Sequence, residues 1–85
     1  MNYTLAVFKS RFSTLNFSNL LKANHIPVAI INTPHSISQA CGLSVKFLSD
    51  YFSKVQTLLT RINLSQFQGF YTYTEMHGRI SLIKL

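Results

Sequence analysis

The hydrophobic pattern at the start of the chain predicts a strand followed by a helix. Residues 3–8 form a short run of aliphatic, aromatic and β-branched side chains that ends at a polar stretch, which is typical of a strand. Ser10 or Ser13 offers an N-cap for a helix that continues to about Ala23, with an imperfect apolar stripe. We expect residues 24–25 to end this helix, because asparagine tolerates the left-handed conformation of a C-terminal cap.

A nearly continuous apolar run at residues 27–31 predicts the second strand. Because such runs are typical of strands buried on both faces, we expect this strand to be central in its sheet. Residues 32–36 interrupt it, since proline lacks a backbone donor and drives the residue before it into extended geometry. A loop follows, with one helical turn expected over residues 36–40, and it leads into residues 41–42.

Strict alternation predicts the third strand. Leu43, Val45 and Phe47 are apolar, and the two residues between them, Ser44 and Lys46, are polar. This period of two is typical of a strand with one face on a core and the other in water. We therefore expect the three apolar side chains to be buried and the two polar ones to face solvent.

The most regular periodicity in the chain predicts a second helix. Apolar residues recur at steps of three and four between residues 48 and 62, and Ser49 or Asp50 offers an N-cap. Residues 67–74 are aromatic and rich in threonine, which favours a strand. A turn after that strand leads into a short last strand at residues 80–85.

The order of these elements is strand, helix, strand, strand, helix, strand. It predicts an α+β fold: a two-layer sandwich of ferredoxin-like βαββαβ topology with an additional C-terminal strand. Both helices then lie on one face of a largely antiparallel sheet, as right-handed crossover connections require. The alternative is a longer helix around residues 37–40 with a partly parallel sheet.

Composition limits the function classes. With 85 residues, of which 47% are hydrophobic and 12% charged, we expect a single domain, residues 1–85, with one modest core. A domain of this size has no room for a deep cleft between lobes, which argues against a multi-step enzyme. Its single cysteine, Cys41, excludes an internal disulfide framework and a cysteine-rich zinc site.

The chain carries a formal net charge of +6, which attracts anionic partners. Its eight Lys and Arg residues are spread almost evenly, so the charge by itself favours solubility over a nucleic-acid interface. The first residues lack the pattern of a signal peptide, and no apolar run approaches the length of a membrane span. We therefore expect a cytoplasmic protein with no membrane contact.

The most unusual chemistry lies in a polar segment between two apolar strands, residues 33–42. Loops that rigid strands hold are common places for functional sites. A thiol reacts as its thiolate, and backbone amides or a nearby cation lower its pKa. His35 is therefore a candidate base or charge for Cys41, and Gly42 allows close approach to the sulfur. Ser36 and Ser38 can donate hydrogen bonds.

Less specific interpretations of these residues stay open. A lone cysteine more often packs as a small buried hydrophobe than reacts, and an isolated histidine such as His35 is more often a solvated loop residue. His25 and His77 fall in other predicted loops, so we expect no metal site. Asp50 and Glu75 are the only carboxylates and lie in other elements, which argues against a Ser-His-Asp triad.

The run at residues 33–47 resembles the signature of the DUF3343 family, also called Se/S carrier protein-like domains. Small bacterial members carry Thr-Pro-Arg, then Ile-Ser, then Ser-Cys-Gly followed by an apolar strand. The resemblance covers nearly the whole chain, including the opening strand and helix and the approach at residues 23–27. It implies that Cys41 carries sulfur or selenium, as a persulfide or perselenide, from a donor protein to an acceptor protein. We expect no cofactor.

The resemblance also assigns binding residues around the thiol. Thr33, Pro34, Ser38 and Gly42 match framing positions of the family signature. Two positions depart from it, since His35 stands where members usually have arginine and residue 40 is alanine where a small hydroxyl residue is frequent. A histidine replaces a permanent charge by a titrating one. Taken as a whole, the resemblance implies that the protein is a thiol carrier rather than a stand-alone enzyme.

Two other functions compete with the thiol carrier. One is a binding module in which Tyr3, Phe67, Tyr71 and Tyr73 form an aromatic platform for nucleic acid, although aromatic residues on strands more often belong to a core or an edge. The other is an interaction protein whose last strand, residues 80–85, pairs with a partner or with a second copy as a homodimer. Salt-dependent RNA binding would identify the first, and loss of association after removal of the last strand would identify the second.

Overall fold

A computed structural model describes residues 2–35, 37 and 42–85 of the chain. Met1, Ser36 and residues 38–41 lie outside the described residues, and with them most of the helical turn expected over residues 36–40. The described elements are, in chain order, β1 (Tyr3–Phe8), α1 (Arg11–Ala23), β2 (Val28–Asn32), β3 (Leu43–Leu48), α2 (Phe52–Leu59), β4 (Phe67–Met76) and β5 (Arg79–Lys84).

The strands form one sheet in the order β2-β3-β1-β4-β5. Each neighbouring pair in that order is antiparallel. The first four strands and the two helices have βαββαβ connectivity, and β5 extends the sheet beyond β4. The predicted two-layer, ferredoxin-like α+β fold with an additional C-terminal strand is therefore confirmed, and the partly parallel alternative is wrong.

The sheet separates two apolar clusters. The helix-side core contains buried residues of α1 and α2 together with residues of the three inner strands, among them Ala6, Val45 and Phe70. The other face carries a smaller group, which we call the open-face cluster and in which none of the described residues belongs to α1 or α2. Its buried members are Leu5, Val7 and Tyr73, and the side chains partly buried against them are Tyr3, Ile31, Ile37, Tyr71 and Leu82.

β2 lies at an edge of the sheet, so the expectation that it is central is wrong. Its position follows from the connectivity, because the crossover through α1 places β2 one strand away from β1 and β3 returns into the space between them. β2 is nonetheless apolar on both faces, since Val28 and Ile30 pack against the helix-side core while Ile31 packs against the open-face cluster. The apolar run of β2 therefore arises because side chains cover both of its faces. It does not mean that β2 has a neighbouring strand on each side.

The start of α1 is capped as predicted and is tied to the sheet. The Ser10 hydroxyl accepts a hydrogen bond from the Ser13 N–H at 3.2 Å. The buried Thr14 hydroxyl donates to the Leu43 carbonyl at 3.0 Å. Because Leu43 is the first residue of β3, this bond joins the first turn of the helix to the end of the sheet where β3 begins.

The end of α1 is a Schellman motif. The His25 N–H donates to the Lys22 carbonyl at 3.0 Å. The Ile26 N–H donates to the Leu21 carbonyl, also at 3.0 Å, and both of these side chains are buried. The helix ends where predicted, but the left-handed residue is His25, with φ 62°, whereas Asn24 has φ −102°. The expected role of the asparagine is therefore taken by the histidine.

α2 is preceded by a 3₁₀ turn, and its predicted cap is wrong. Ser49 and Asp50 lie inside that turn, while the N-cap position of α2 is Tyr51, whose side chain makes no capping bond. The Ser49 hydroxyl instead bonds the Thr4 hydroxyl at 2.8 Å. The predicted apolar face is confirmed, and its buried residues are Val55, Leu58 and Leu59.

β4 and β5 form a hairpin close to the predicted one. β4 continues to Met76, past the predicted end at residue 74, and β5 begins at Arg79. His77 and Gly78 connect the strands with φ 52° and 78°, the two left-handed positions of a type I′ turn. Large apolar side chains at this edge of the sheet are exposed, namely Met76, Ile80, Ile83 and Leu85.

Candidate functional site

The end of β2 and the start of β3 are joined beyond the strands themselves. Thr33, the residue after β2, donates its N–H to the carbonyl of Gly42, the residue before β3, at 2.9 Å. This bond extends the β2–β3 ladder by one pair. Residues 34–41, which we call the 34–41 connection, thus link the end of β2 to the start of β3, and these two strand ends are hydrogen-bonded to each other.

A second hydrogen bond fixes the same corner of the sheet. Oγ1 of Thr33 and Oγ of Ser44 lie 2.6 Å apart, and either hydroxyl can donate. Both residues are buried, Ser44 completely. Ser44 lies between Val7 of β1 and Ile31 of β2, two residues of the open-face cluster, so the expectation that it faces solvent is wrong. Its hydroxyl is acceptable there because Thr33 satisfies it.

Ile37 ties the 34–41 connection to the sheet. Its N–H donates to the Pro34 carbonyl at 3.0 Å, which closes a turn. Its side chain is partly buried against the open-face cluster, whose fully buried members Leu5 and Val7 belong to the middle strand of the sheet. At Ile37, the connection therefore lies on the face that the helices leave open.

Some of the predicted site residues take part in the contacts between the end of β2 and the start of β3, and others do not. Thr33 is buried, Pro34 and Gly42 are half-buried, and His35 is exposed. The structure brings Thr33 and Gly42 together through their backbones and uses the Pro34 carbonyl in the adjacent turn. Ser36, Ser38 and Cys41 lie outside the described residues, and their roles stay predictions.

The sequence interpretation missed Ser44 and Ile37 as parts of this corner. Alternation places Ser44 on the face opposite the helix-side core but does not show that this face is covered. Ile37 carries a usable signal, because it is the one large aliphatic residue in the polar stretch 33–42. Such a residue is the expected point of contact between a polar segment and an apolar cluster.

Lys46 places a positive charge on the open face. Its Nζ lies 4.5 Å from the centroid of the Tyr3 ring and 4.7 Å from that of the Tyr73 ring. These two tyrosines are cross-strand partners on β1 and β4, so the ammonium group interacts with both aromatic rings. The side chain is only partly buried, which leaves the charge within reach of an anion in solvent.

The four aromatic residues considered as a nucleic-acid platform lie on two different faces. Tyr3, Tyr71 and Tyr73 belong to the open-face cluster. Phe67 packs against the helix-side core, with its ring centroid 5.2 Å from that of Phe8. The expected four-residue surface is therefore wrong. Alternation alone would place residues 67, 71 and 73 on one face, but the pairing of β1 with β4 shifts register between Val7 and Phe8, and this bulge puts Phe67 on the opposite face.

Residues 2–35, 37 and 42–85 contain no group of three or more His, Cys, Asp or Glu side chains placed to hold a metal ion. Two of the histidines have backbone roles instead, since His25 ends α1 and His77 lies in the hairpin turn. In the same part of the chain, neither helix has the length and apolar character needed to cross a membrane.

A family model described as “Putative Se/S carrier protein-like” matches residues 2–72. The match runs from the residue before β1 into β4, and it includes the whole 34–41 connection. It ends before the β4–β5 turn, so most of the terminal hairpin lies beyond it. No curated protein and no solved structure matched the chain.

Proposed function

The chain belongs to this Se/S carrier protein-like family, and on that premise we propose that it is a small thiol carrier, which holds sulfur or selenium on Cys41 and delivers it to a partner protein. The observation that carries the proposal is the corner formed by Thr33 and Gly42. Their backbone hydrogen bond and the Thr33–Ser44 hydroxyl bond fix the two strand ends that flank the 34–41 connection, in which Cys41 lies.

In this proposal, the hydrogen-bonded ends of β2 and β3 give the carrier thiol a defined position. Cys41 is joined covalently to Gly42, whose carbonyl accepts the Thr33 N–H at 2.9 Å. Because Gly42 has no side chain, a donor or acceptor protein can approach the neighbouring thiol closely. Sites on segments held by rigid strands combine a fixed position with access for a partner.

The proposed chemistry is two successive thiol exchanges. In loading, the Cys41 thiolate attacks the outer sulfur of a persulfide on the donor protein, forms a new S–S bond and displaces the donor's thiolate. In delivery, a nucleophile of the acceptor attacks the outer sulfur, and the Cys41 thiolate leaves. Selenium follows the same steps with an Se atom in the outer position. Neither exchange changes the total number of electrons, so no separate oxidant is needed.

We propose that His35 supplies a positive charge to the site when Cys41 carries the anionic persulfide. It is exposed and stands at the position where members of the family usually have arginine, so its protonated form can attract the anionic persulfide. Ser36 and Ser38 are the proposed hydrogen-bond donors, and Thr33 and Pro34 frame the segment. The net charge of +6 favours acidic surfaces on the donor and acceptor. A reducing compartment such as the cytoplasm would keep Cys41 available as a thiol.

Intact-mass spectrometry after incubation with a cysteine desulfurase and cysteine tests this function. We expect the mass to rise by one sulfur atom, the added atom to map to Cys41, and dithiothreitol to remove it. Cys41→Ser is the matched control and should gain nothing. An unmodified wild-type chain, in a reaction where the desulfurase demonstrably loads a known acceptor, would contradict the proposal.

A second candidate function is supported by Lys46, whose ammonium group lies between the Tyr3 and Tyr73 rings on the open face. A cation beside aromatic rings is a common feature of surfaces that bind single-stranded nucleic acid. If the open face binds RNA, the affinity of a single-stranded oligonucleotide should fall with salt and with Lys46→Gln. Equal binding by the variant and the wild-type chain would remove this candidate.

A further inference from the structure

The outer edge of β5 carries a regular set of backbone donors and acceptors. Among the strands that the structure describes, β5 is the last in the sheet, and its described strand partner is β4. Leu85 donates its N–H to the carbonyl of Phe70 at 2.9 Å, and the register places these two residues opposite each other. Hydrogen-bonded and non-hydrogen-bonded pairs alternate along an antiparallel ladder. Residues 79, 81 and 83 therefore direct their backbone groups toward β4, and residues 80, 82 and 84 direct theirs outward.

We propose that β5 pairs with β5 of a second copy, antiparallel about a two-fold axis at Leu82, to form one ten-stranded sheet. A symmetric antiparallel pair must place one residue opposite itself, because the two copies of that residue are equivalent. An axis at Leu82 uses all three outward-facing residues of each strand. An axis at any other residue of β5 shortens the ladder. The pairs are then Leu82 with Leu82, Ile80 with Lys84, Ser81 with Ile83, and Arg79 with Leu85.

This register also separates the charges of the two strands. Lys84 lies opposite Ile80 of the second copy and Arg79 opposite Leu85, so no two cations face each other directly. A charged residue on an edge strand normally discourages pairing. Here the lysine stem can lie along an apolar neighbour while its ammonium group reaches solvent. The symmetric register thus tolerates both cations.

The side chains at this edge have apolar surface to bury. Ile83 is 64% exposed, Leu85 60% and Ile80 49%. The other edge strand, β2, also has an open edge, but Val28 and Ile30 already pack against the helix-side core and Ile31 against the open-face cluster. Pairing through β5 therefore buries more new apolar surface than pairing through β2.

A single strand pair is a small interface, so the dimer should depend on concentration. Stable interfaces bury about 1,200 Å² or more, and one edge-to-edge pair falls near or below that limit. Each copy carries a charge of +6, so added salt should strengthen the dimer by screening the repulsion between copies. In the dimer, the two Thr33–Gly42 corners lie near opposite ends of the sheet, roughly 40 Å apart at about 4.8 Å per strand. Dimer formation is thus independent of the proposed carrier function.

Sedimentation velocity of the full chain, from micromolar to millimolar concentration, tests the dimer. Two double variants form a matched set, because residues 81 and 83 face each other across the axis. Ser81→Lys with Ile83→Glu places opposite charges in contact and should keep the dimer. Ser81→Lys with Ile83→Lys places like charges in contact and should raise the dissociation constant by about tenfold or more. Equal association of the two variants, or a monomeric wild type throughout the range, would overturn the proposal.

Cysteine cross-linking tests the register independently. In a Cys41→Ser background, Leu82→Cys places two thiols opposite each other, and a mild added oxidant should join them as a disulfide-linked dimer. Ile80→Cys is the control, because its opposite residue is Lys84, and it should cross-link far less. Equal cross-linking at the two positions would overturn the register. Loss of the dimer on Ala29→Lys, at an exposed residue of β2, with the Ser81/Ile83 variants unaffected, would assign the interface to the other edge.

Discussion

The hydroxyl groups of Thr33 and Ser44 form a buried hydrogen bond of 2.6 Å across the corner where β2 ends and β3 begins. The bond joins the residue after one strand to the second residue of the next. Together with the Thr33–Gly42 backbone bond, it fixes both ends of the 34–41 connection. The same two side chains therefore join the end of β2 to the start of β3.

Removing the Thr33 hydroxyl should destabilise the fold out of proportion to its size. Thr33→Val keeps the shape of the side chain but leaves the fully buried Ser44 hydroxyl without this partner. An unsatisfied buried hydroxyl costs about 1–3 kcal/mol, and we expect a loss in that range in the free energy of unfolding measured with urea.

The double variant Thr33→Val with Ser44→Ala provides the control for this pair. Because it removes both hydroxyls, it should lose less stability than the sum of the two single variants. Additive losses would show that the two side chains are not energetically coupled. A loss of sulfur loading in the stable double variant would separate a positioning role from a purely structural one.

The charge of residue 35 should control the reactivity of Cys41. If residue 35 stabilises the thiolate, His35→Arg should raise the rate of alkylation by iodoacetamide, and His35→Gln should lower it, by about threefold to tenfold between the two variants. The wild-type rate should lie between those of the two variants. Identical pH–rate profiles for the three chains, near that of a free thiol of pKa about 8.5, would contradict this role.

The cation on the open face should contribute measurably to stability. Lys46→Met keeps the aliphatic stem but removes the charge that lies 4.5 Å from the Tyr3 ring and 4.7 Å from the Tyr73 ring. We expect a loss of about 1 kcal/mol in urea unfolding, and Lys46→Arg should retain most of the interaction. If the arginine and methionine variants are equally stable, the ring contacts are not a source of stability.

The local elements of the fold follow from the sequence because local patterns determine them. The strand over Tyr3–Phe8 and the helix ending at Ala23 lie where composition, capping and periodicity place them. The sheet position of β2 does not follow from its own residues, since it depends on β3 entering between β1 and β2. The burial of Ser44 likewise depends on Thr33, which is distant in sequence and adjacent in space.

The candidate site likewise combines features that local sequence patterns predict with features that depend on contacts between distant residues. That a polar segment links the ends of two neighbouring strands, with Gly42 just before the second one, could be predicted from the polar run between two apolar strands. The hydroxyl pair and the contact of Ile37 with the open-face cluster could not, since the pattern of one strand does not reveal what covers its second face. The sequence also did not predict which residue takes the left-handed position after α1. The hydrogen bonds of the helix end select that residue, whereas the prediction relied on side-chain preference.

That left-handed residue offers a stabilising substitution. His25 has φ 62°, a conformation in which a side chain costs about 1–2 kcal/mol and glycine nothing. The Schellman bonds at this helix end use backbone atoms alone, so His25→Gly leaves them intact. After the entropy that glycine costs the folded state, we expect a gain of about 0.5–1 kcal/mol in the free energy of unfolding and a higher Tm.

Asn24→Gly is the matched control for this substitution, because it places the same residue one position earlier. Asn24 has φ −102°, so glycine relieves no strain there. The substitution also removes the side-chain amide that donates to the Leu20 carbonyl at 2.9 Å. We therefore expect a loss of about 1 kcal/mol from Asn24→Gly against a gain from His25→Gly. Changes of the same sign in the two variants would mean that backbone conformation at residue 25 does not limit stability.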